Sequence, residues 1–487
     1  MNHPTIIQGG MGVGISNWRL ARTVSQHGQL GVISGTGINN VVIRRLQQGD
    51  PDGHMRRAIA HFPFQDIAQP ILDRYFVADA NPESTKPFKI TPMFSAKPSL
   101  ASQQLLVVTT FAEVFLAKEG HNGLVGINLM EKLQMTTLGG LYGAMLADVD
   151  YVLMGAGIPR EIPRVLDLFA NHEPATLKLH VENASADDNF LLSFDPREVI
   201  PHAMPPLRRP KFLAIIASTT LAISLIKKGT GKVDGFVIEE PPAGGHNAPP
   251  RGNKTFNERG EPIYGEKDIV DLEKIKSLGV PFWLAGSYAT PQKLTYAIEH
   301  GAEGIQVGTA FALSQESGLR DDLRHQAIQR VKAGEMDIFT DPKASPTGFP
   351  FKVAQVEGTV AKPDVYAERP RLCDLGYLRT AYKRDDGTLG YRCASEPIDQ
   401  YLKKGGELSE TEGRKCLCNG LMATHGLAQH RPDGYVEAPL VTMGDDVTSI
   451  LQFLHDDADA YSAVDVLDTL LQGVPQKQEH ELASMTV

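Results

Sequence analysis

The sequence predicts an α/β fold, a (β/α)8 TIM barrel with insertions and a smaller C-terminal cap unit. Three observations lead there. Eight short apolar runs each give way to glycine or a polar residue, helical patterning follows them, and the alternation persists over roughly 330 residues. A doubly wound sheet has the same alternation, because periodicity does not separate a closed sheet from an open one. The boundaries follow: a barrel over residues 1–335 with an insertion at about 50–97, then a Cys-containing helical and loop unit over 336–487.

The first run, Thr5-Ile6-Ile7-Gln8, breaks at Gly9-Gly10-Met11-Gly12-Val13-Gly14, after which Ser16 or Asn17 can cap a helix through Trp18, Leu20, Ala21 and Val24. These glycines fit no GxGxxG register, so the loop is not a dinucleotide fingerprint. Leu30-Gly31-Val32-Ile33 is the second strand, followed by Gly35-Thr36-Gly37 and a helix through Val41 to Leu46. Prolines at 51, 63, 70, 82, 87 and 92 then interrupt the rhythm, with helical stretches near Met55–Ala60 and Ile67–Phe76. Helical spacing resumes from Leu105 to Phe115, and Leu124-Val125-Gly126-Ile127-Asn128 is the third strand. Tyr151–Met154 is the fourth, with a helix ending near Phe169 and a hairpin expected between Leu177–Val181 and Asn189–Phe194. Phe212–Ala217 and Gly235–Glu239 are the fifth and sixth strands, with helices over 219–228 and about 268–277. The seventh and eighth are Pro281–Ala285 and Gly304–Val307, with helices over 291–300 and about 319–333. Helical patterning returns at Ile450–Leu454 and Val464–Leu470; the chain is expected to fray from about Gln476.

Composition narrows the partners. A net charge of -10 with no Lys/Arg-rich block argues against nucleic acid. Residues 1–5 lack the basic and apolar regions of a secretory signal, and Phe212–Ile226, read as the most apolar segment, is too short and polar to span a bilayer. Four cysteines in 487 residues fit a reducing cytoplasm better than a disulfide scaffold. The expected partners therefore include no nucleic acid and no membrane, and homo-oligomerisation stays open.

The stretch from Glu239 to Gly252, EEPPAGGHNAPPRG, follows the sixth strand directly. Its glycines and prolines would hold His246 at a strand's carboxyl end, where such barrels keep their chemistry. Gly286-Ser287 and Gly308-Thr309 fall in the loops after strands seven and eight, the usual phosphate loops, each with a glycine for close approach and a hydroxyl.

Five blocks then carry a family resemblance. They are Ile6–Met11 (IIQGGM), Gly126–Leu129 (GINL), Ala243–His246 (AGGH), Leu284–Pro291 (LAGSYATP) and Gly301–Phe311 (GAEGIQVGTAF). In this order they resemble the FMN-dependent nitronate monooxygenases, also called 2-nitropropane dioxygenases, whose enoyl reductase relatives share the barrel. The resemblance implies FMN held by Gly10, Met11, Asn128, Gly244, Gly245, Gly286, Ser287, Gln306, Gly308 and Thr309. It also implies a small-molecule substrate, O2 as co-substrate and His246 as the catalytic residue, an imidazole near its ordinary pKa of about 6.5 that serves as general base or holds a nitronate anion. Ser287 stands where a second glycine is usual, Glu239-Glu240-Pro241-Pro242 is more acidic and stiffer than the family's lead-in, and residues from about 340 to 475 exceed the compact members. The alternatives are an FMN-dependent enoyl-thioester reductase using NAD(P)H and a non-redox phosphate-ligand barrel. Cys373, Cys393, Cys416 and Cys418, near His425 and His430, lack CxxC spacing and are read as thiols, with no metal assigned. The acidic pairs Asp321-Asp322 and Asp456-Asp457 are read as solvated faces.

Overall fold

Eight parallel strands form one sheet that closes on itself: β1 Ile6–Gln8, β2 Gly31–Ser34, β3 Val125–Met130, β4 Tyr151–Gly155, β5 Lys211–Ile216, β6 Gly235–Glu239, β7 Phe282–Ala285 and β8 Gly304–Val307. These come from a computed structural model, which describes residues 3–81, 85–455 and 458–472. The order is β1-β8-β7-β6-β5-β4-β3-β2, and a parallel bridge between Ile7 and Leu30 joins the two ends. Backbone bonds from Gln8 to Leu30 (3.0 Å) and from Leu30 to Ile6 (3.1 Å) complete the closure. The fold is thus the (β/α)8 barrel. The open-sheet alternative fails because β1 has neighbours on both edges.

The barrel is filled in the way its strands alternate. Ile7, Val32, Tyr151, Leu153, Leu213, Ile215, Val237 and Trp283 point inward and form one dry cluster, while the intervening residues pack outward against the helices. Burial on both faces explains why the strands read as continuous apolar runs. The same alternation brings polar side chains into the layer above: Asn128, Glu239 and Gln306 stand two residues beyond inward-facing positions, at the carboxyl ends of β3, β6 and β8.

Several local expectations are refined. Asn17, rather than Ser16, caps the first helix by accepting from Leu20 (3.0 Å); the Ser16 hydroxyl is taken up by the glycine loop, donating to Gly9 O and accepting from Met11 N, both at 2.8 Å. The helix expected over 268–277 divides into a 3-10 turn, Glu266–Asp268, and a helix, Leu272–Ser277. The hairpin forms between Ala175–Lys178 and Leu191–Phe194, while Val181–Glu182 pairs with Thr380–Lys383. Between β3 and β4 lies a helix that the periodicity did not reveal, Gln134–Leu146. It is buried nearly all round against Leu100–Lys118, and a Cβ at Gly143 would come within 2.4 Å of Val107 O, so its glycines serve close helix packing and erase the amphipathic pattern. Among the described residues one helix, Leu100–Lys118 rather than Phe212–Ile226, is long and apolar enough to cross a membrane; 72% of that window is buried inside the protein. The fraying expected beyond Gln476 and the pair Asp456-Asp457 lie outside the described residues; Asp321 and Asp322 are exposed, as a solvated face requires.

The described residues after 336 pack around the barrel mouth. Ile338–Asp341 and Phe351–Ala354 pair antiparallel, and Ala463–Leu470 packs on the helices Trp18–Gln26 and Pro291–Glu299. Val441, Met443, Ile450, Phe453 and Tyr461 join the same core as the barrel helices. His425, following the helix Leu417–Thr424, docks on the first glycine loop: a Cβ at Gly14 would lie 2.5 Å from its ring and one at Gly318 2.3 Å. Its Nε2 faces the Arg45 guanidinium at 2.7 Å and its Nδ1 faces Gly318 O at 2.6 Å. Because Arg45 can only donate, Nε2 accepts and Nδ1 carries the proton.

Gly14 therefore has two duties, a left-handed backbone (φ +68) and room for that ring. Gly14→Ala should lower the unfolding free energy by about 2 kcal/mol or more, since a left-handed alanine costs roughly 1 kcal/mol before the clash. Urea unfolding measures this, and wild-type stability in the variant would mean the ring is not seated there.

Candidate active site

A cavity of about 260 Å³ opens at the carboxyl ends of the barrel strands. Every position singled out from the sequence lines it: Gly10 and Met11 after β1, Asn128 in β3, Gly244, Gly245 and His246 after β6, Gly286 and Ser287 after β7, Gln306 in β8, and Gly308 and Thr309 beyond it. Five separate stretches of chain converge because a closed parallel barrel points all of its strand ends to one face.

The glycines there do different things. Gly10 lets its backbone pass over Asn128, whose side chain a Cβ would strike at 2.2 Å, and Asn128 Nδ2 donates to Gly10 O (2.8 Å). Gly244 is needed for the chain facing it, since a Cβ would lie 2.9 Å from Gly444 N and from Met443 C. Gly245 has open space but a φ of +81, so glycine is required there by the backbone. Ser287 adopts a φ of 64 directly after Gly286 (φ 100), which explains why a glycine is the ordinary occupant; a serine there accepts left-handed strain to present its hydroxyl.

The Gly-Gly-His loop is not a free surface loop. Lys352 N donates to Gly245 O (3.0 Å) and Asn247 N to Pro350 O (2.9 Å), an antiparallel bridge that sets His246 opposite Phe351. Gly245 N donates to Thr442 Oγ1 (2.9 Å), and Asn247 Nδ2 ties the loop to itself at Ala243 O (2.9 Å) and Pro241 O (3.2 Å). His246 Nε2 lies 2.7 Å from Ser345 Oγ, and its ring meets the Phe351 ring edge-on at 4.8 Å. Nδ1 is the ring nitrogen left for a ligand.

These contacts alter the imidazole. Burial, aided by the positive charge of Lys132, pushes the His246 pKa down to about 3. The expectation of an imidazole titrating near 6.5 is therefore corrected: His246 is neutral across the physiological range, a hydrogen-bonding group and a poor base. Lys132, two residues beyond β3, stands with its ammonium 3.0 Å from the Phe349 ring centroid, and burial lowers its pKa to about 8. The sequence offered no signal for Lys132, because a lone lysine after a strand resembles any solvated one.

Three polar atoms at cavity-lining residues are buried without a hydrogen-bond partner among the described residues: Asn128 Oδ1, Gln306 Oε1 and Ser287 Oγ. Orphaned polar atoms at one cavity call for a polar ligand. Thr309 Oγ1 accepts from Gly444 N (2.9 Å) and retains its own proton to donate. Glycine backbones at Gly286 and Gly308 with two hydroxyls fit a phosphate, and a polar floor of Asn128 and Gln306 fits a heterocycle or its polyol chain, so the residues present fit FMN. One side of the cavity wall was not foreseen. Phe351, Tyr377, Leu378, Leu417 and Leu421, with the Thr442–Gly444 turn, come from beyond residue 336. The four cysteines are free, and among the described residues no three His, Cys, Asp or Glu side chains group as a metal site.

The two half-buried histidines, whose rings are desolvated, make stability pH-dependent. His246 and His425 each have a folded pKa of about 3, below the ordinary 6.5, so the unfolded chain binds more protons in acid. Their contribution is fully present above 6.5 and is lost as pH falls toward 3. Denaturant midpoints from pH 7 to 4 should decline for the wild type and decline less steeply for His425→Gln; parallel slopes would contradict the buried neutral state.

No family model matches the chain. It is 27% identical over 124 residues, 25% of its length, to a probable nitronate monooxygenase of Staphylococcus saprophyticus, covering 33% of that protein. A probable nitronate monooxygenase of Staphylococcus haemolyticus is 27% identical over 177 residues, 35% of the chain and 46% of that protein. The matched part thus spans between a third and a half of those relatives. Among solved structures, FabK from Thermotoga maritima aligns over 97% of this chain and 92% of its own with a TM-score of 0.48 and 15% identity. The ordered sequence blocks and the curated matches together bear out the resemblance of this chain to the FMN-dependent nitronate monooxygenase family.

Proposed function

We propose that the protein is an FMN-dependent oxidoreductase of the nitronate monooxygenase type, oxidising alkyl nitronates with O2 to a carbonyl compound and nitrite. The observation that carries this reading is the convergence of every expected cofactor and catalytic position on one cavity with orphaned polar atoms at its lining residues. In it, Gly286, Ser287, Gly308 and Thr309 would hold the FMN phosphate, and Gly10, Met11, Asn128, Gly244, Gly245 and Gln306 the rest of the cofactor. Bound FMN supplies the redox chemistry, taking electrons from the substrate and passing them to O2.

The chain's own part is binding, orientation and electrostatics. Neutral His246, fixed through Nε2 by Ser345, offers Nδ1 to the substrate. Lys132 adds positive charge beside it, so the site favours an anion already formed over a carbon acid awaiting a base. The wall from Phe351, Leu378, Leu417 and Leu421 keeps water from the reacting centre and accommodates an apolar substrate tail. That wall also favours the second reading, an enoyl-thioester reductase using NAD(P)H, because a long apolar surface suits an acyl chain. A reducing cytoplasm belongs to both readings and agrees with four free thiols.

Anaerobic mixing of the FMN-loaded protein separates the two. A nitronate should bleach the flavin absorbance and NADPH should not; rapid bleaching by NADPH alone would replace the first reading with the second. His246→Ala should retain FMN while kcat/KM for a nitronate falls about 10²-fold, the ordinary scale for losing one positioned hydrogen-bonding group at the reacting centre. Unchanged turnover would remove His246 from the mechanism.

The pH profile tests Lys132. Its pKa is lowered to about 8, so it is a cation below that pH and neutral above it. For an anionic substrate, kcat/KM should decline as pH rises through about 8, and Lys132→Met should abolish that decline. A wild-type profile flat up to pH ~9 would show that the ammonium does not bind substrate.

A further inference from the structure

Glu239 and Glu240 are adjacent carboxylic acids at the end of β6 with opposite fates. Glu240 accepts from the Tyr288 hydroxyl (2.9 Å) and lies near Lys293. Glu239 continues the inward-facing series of Gly235 and Val237, lines the cavity, and has no hydrogen bond or ion pair among the described residues. Burial is the influence that acts on it. Its strand partner is Ala285, one residue before the Gly286-Ser287 loop. A carboxyl group without a partner thus stands next to the loop that would take a dianionic phosphate.

Among the described residues no counter-charge acts on Glu239. On its own segment are Glu240, held by Tyr288, and neutral His246. From the segment after the loop comes Tyr264, whose phenol is pushed up by burial and then by Asp268, Asp445 and Glu239, and donates to Ala248 O (3.0 Å). From the β7 side Lys293 pairs with Asp446 (3.3 Å), and from the C-terminal turn Asp445 pairs with Lys352 (2.8 Å). An ionised Glu239 would share the cavity with the cofactor's phosphate, with no cation among the described residues acting on the carboxylate.

We infer that Glu239 is a cofactor-site residue that gates FMN binding by its protonation: the cavity accepts the cofactor with Glu239 neutral and rejects it with Glu239 ionised. This rests on the FMN reading above. Burial raises the carboxyl pKa to about 7, which puts the gate near neutrality. Binding then takes up one proton, and affinity falls as pH rises. A phosphomonoester is already dianionic above its second pKa of about 6, so the ligand's own charge is constant across the window.

The test is FMN affinity, read by quenching of flavin fluorescence, at several pH values for the full-length wild type, Glu239→Gln and Glu239→Asp. Between about pH 7 and 8.5 the wild-type Kd should rise roughly tenfold more than that of Glu239→Gln, which keeps the shape and loses the charge. Glu239→Asp should keep the wild-type trend. Lys132 titrates in this window in all three proteins, so the difference between them isolates Glu239. Parallel curves for wild type and Glu239→Gln would overturn the gate while leaving FMN binding intact. Failure of all three proteins to bind FMN at any pH would overturn it together with the proposed function.

Discussion

The short pairing of Gly245–Asn247 with Pro350–Lys352 is the interaction on which the rest of the site depends. Two backbone hydrogen bonds, at 3.0 and 2.9 Å, turn what would be a mobile barrel loop into a strand-like edge. They fix His246 against Phe351 and Ser345, bring Thr442 onto Gly245, and close one side of the cavity with chain from beyond residue 336. Burial of the imidazole, its lowered pKa and the shape of the cavity all follow from that pairing. His425, seated against Gly14 and Gly318, docks the C-terminal chain on the loop after β1 as well. The C-terminal part of the chain is therefore built into the site at two points.

Electrostatics at the mouth divide into two zones. Around His246 the charge is positive, from Lys132, beside a neutral ring, which suits a substrate anion. Around β6 and β7 lie Glu239 and Glu240, with Tyr288, Lys293 and Asp446. Of the two carboxylic acids, Glu239 alone lacks a partner among the described residues, and it faces the same cavity as the Gly286-Ser287 loop. Desolvation is the common cause of these departures from ordinary ionisation, and it acts in opposite senses on acid and base: it raises Glu239 and lowers His246 and Lys132.

Much of this was legible in the sequence. All eight strands lie within a residue or two of where β-branched runs and glycine breaks put them, because strands buried on both faces leave continuous apolar text. The positions expected to serve cofactor and catalysis share one cavity for a topological reason, since each lies at or beyond a strand's carboxyl end. What could not be read depended on contacts distant in the chain. The Gln134–Leu146 helix was hidden by its packing glycines. Ser287 carries a left-handed conformation that no pattern encodes. The pKa of His246 depends on burial, to which the Phe351 ring contributes, and on the charge of Lys132, and neither residue is near it in sequence. Glu239 was visible as part of an acidic lead-in, but its inward direction became meaningful only with the register of β6 against β7.

The central claim is that the barrel mouth and the C-terminal chain together form one flavin site, and the visible absorption spectrum of the purified protein tests it most directly. Addition of FMN followed by removal of the free cofactor should leave a yellow protein with one flavin per chain and a perturbed flavin spectrum. A protein that stays colourless after the same treatment would contradict the account.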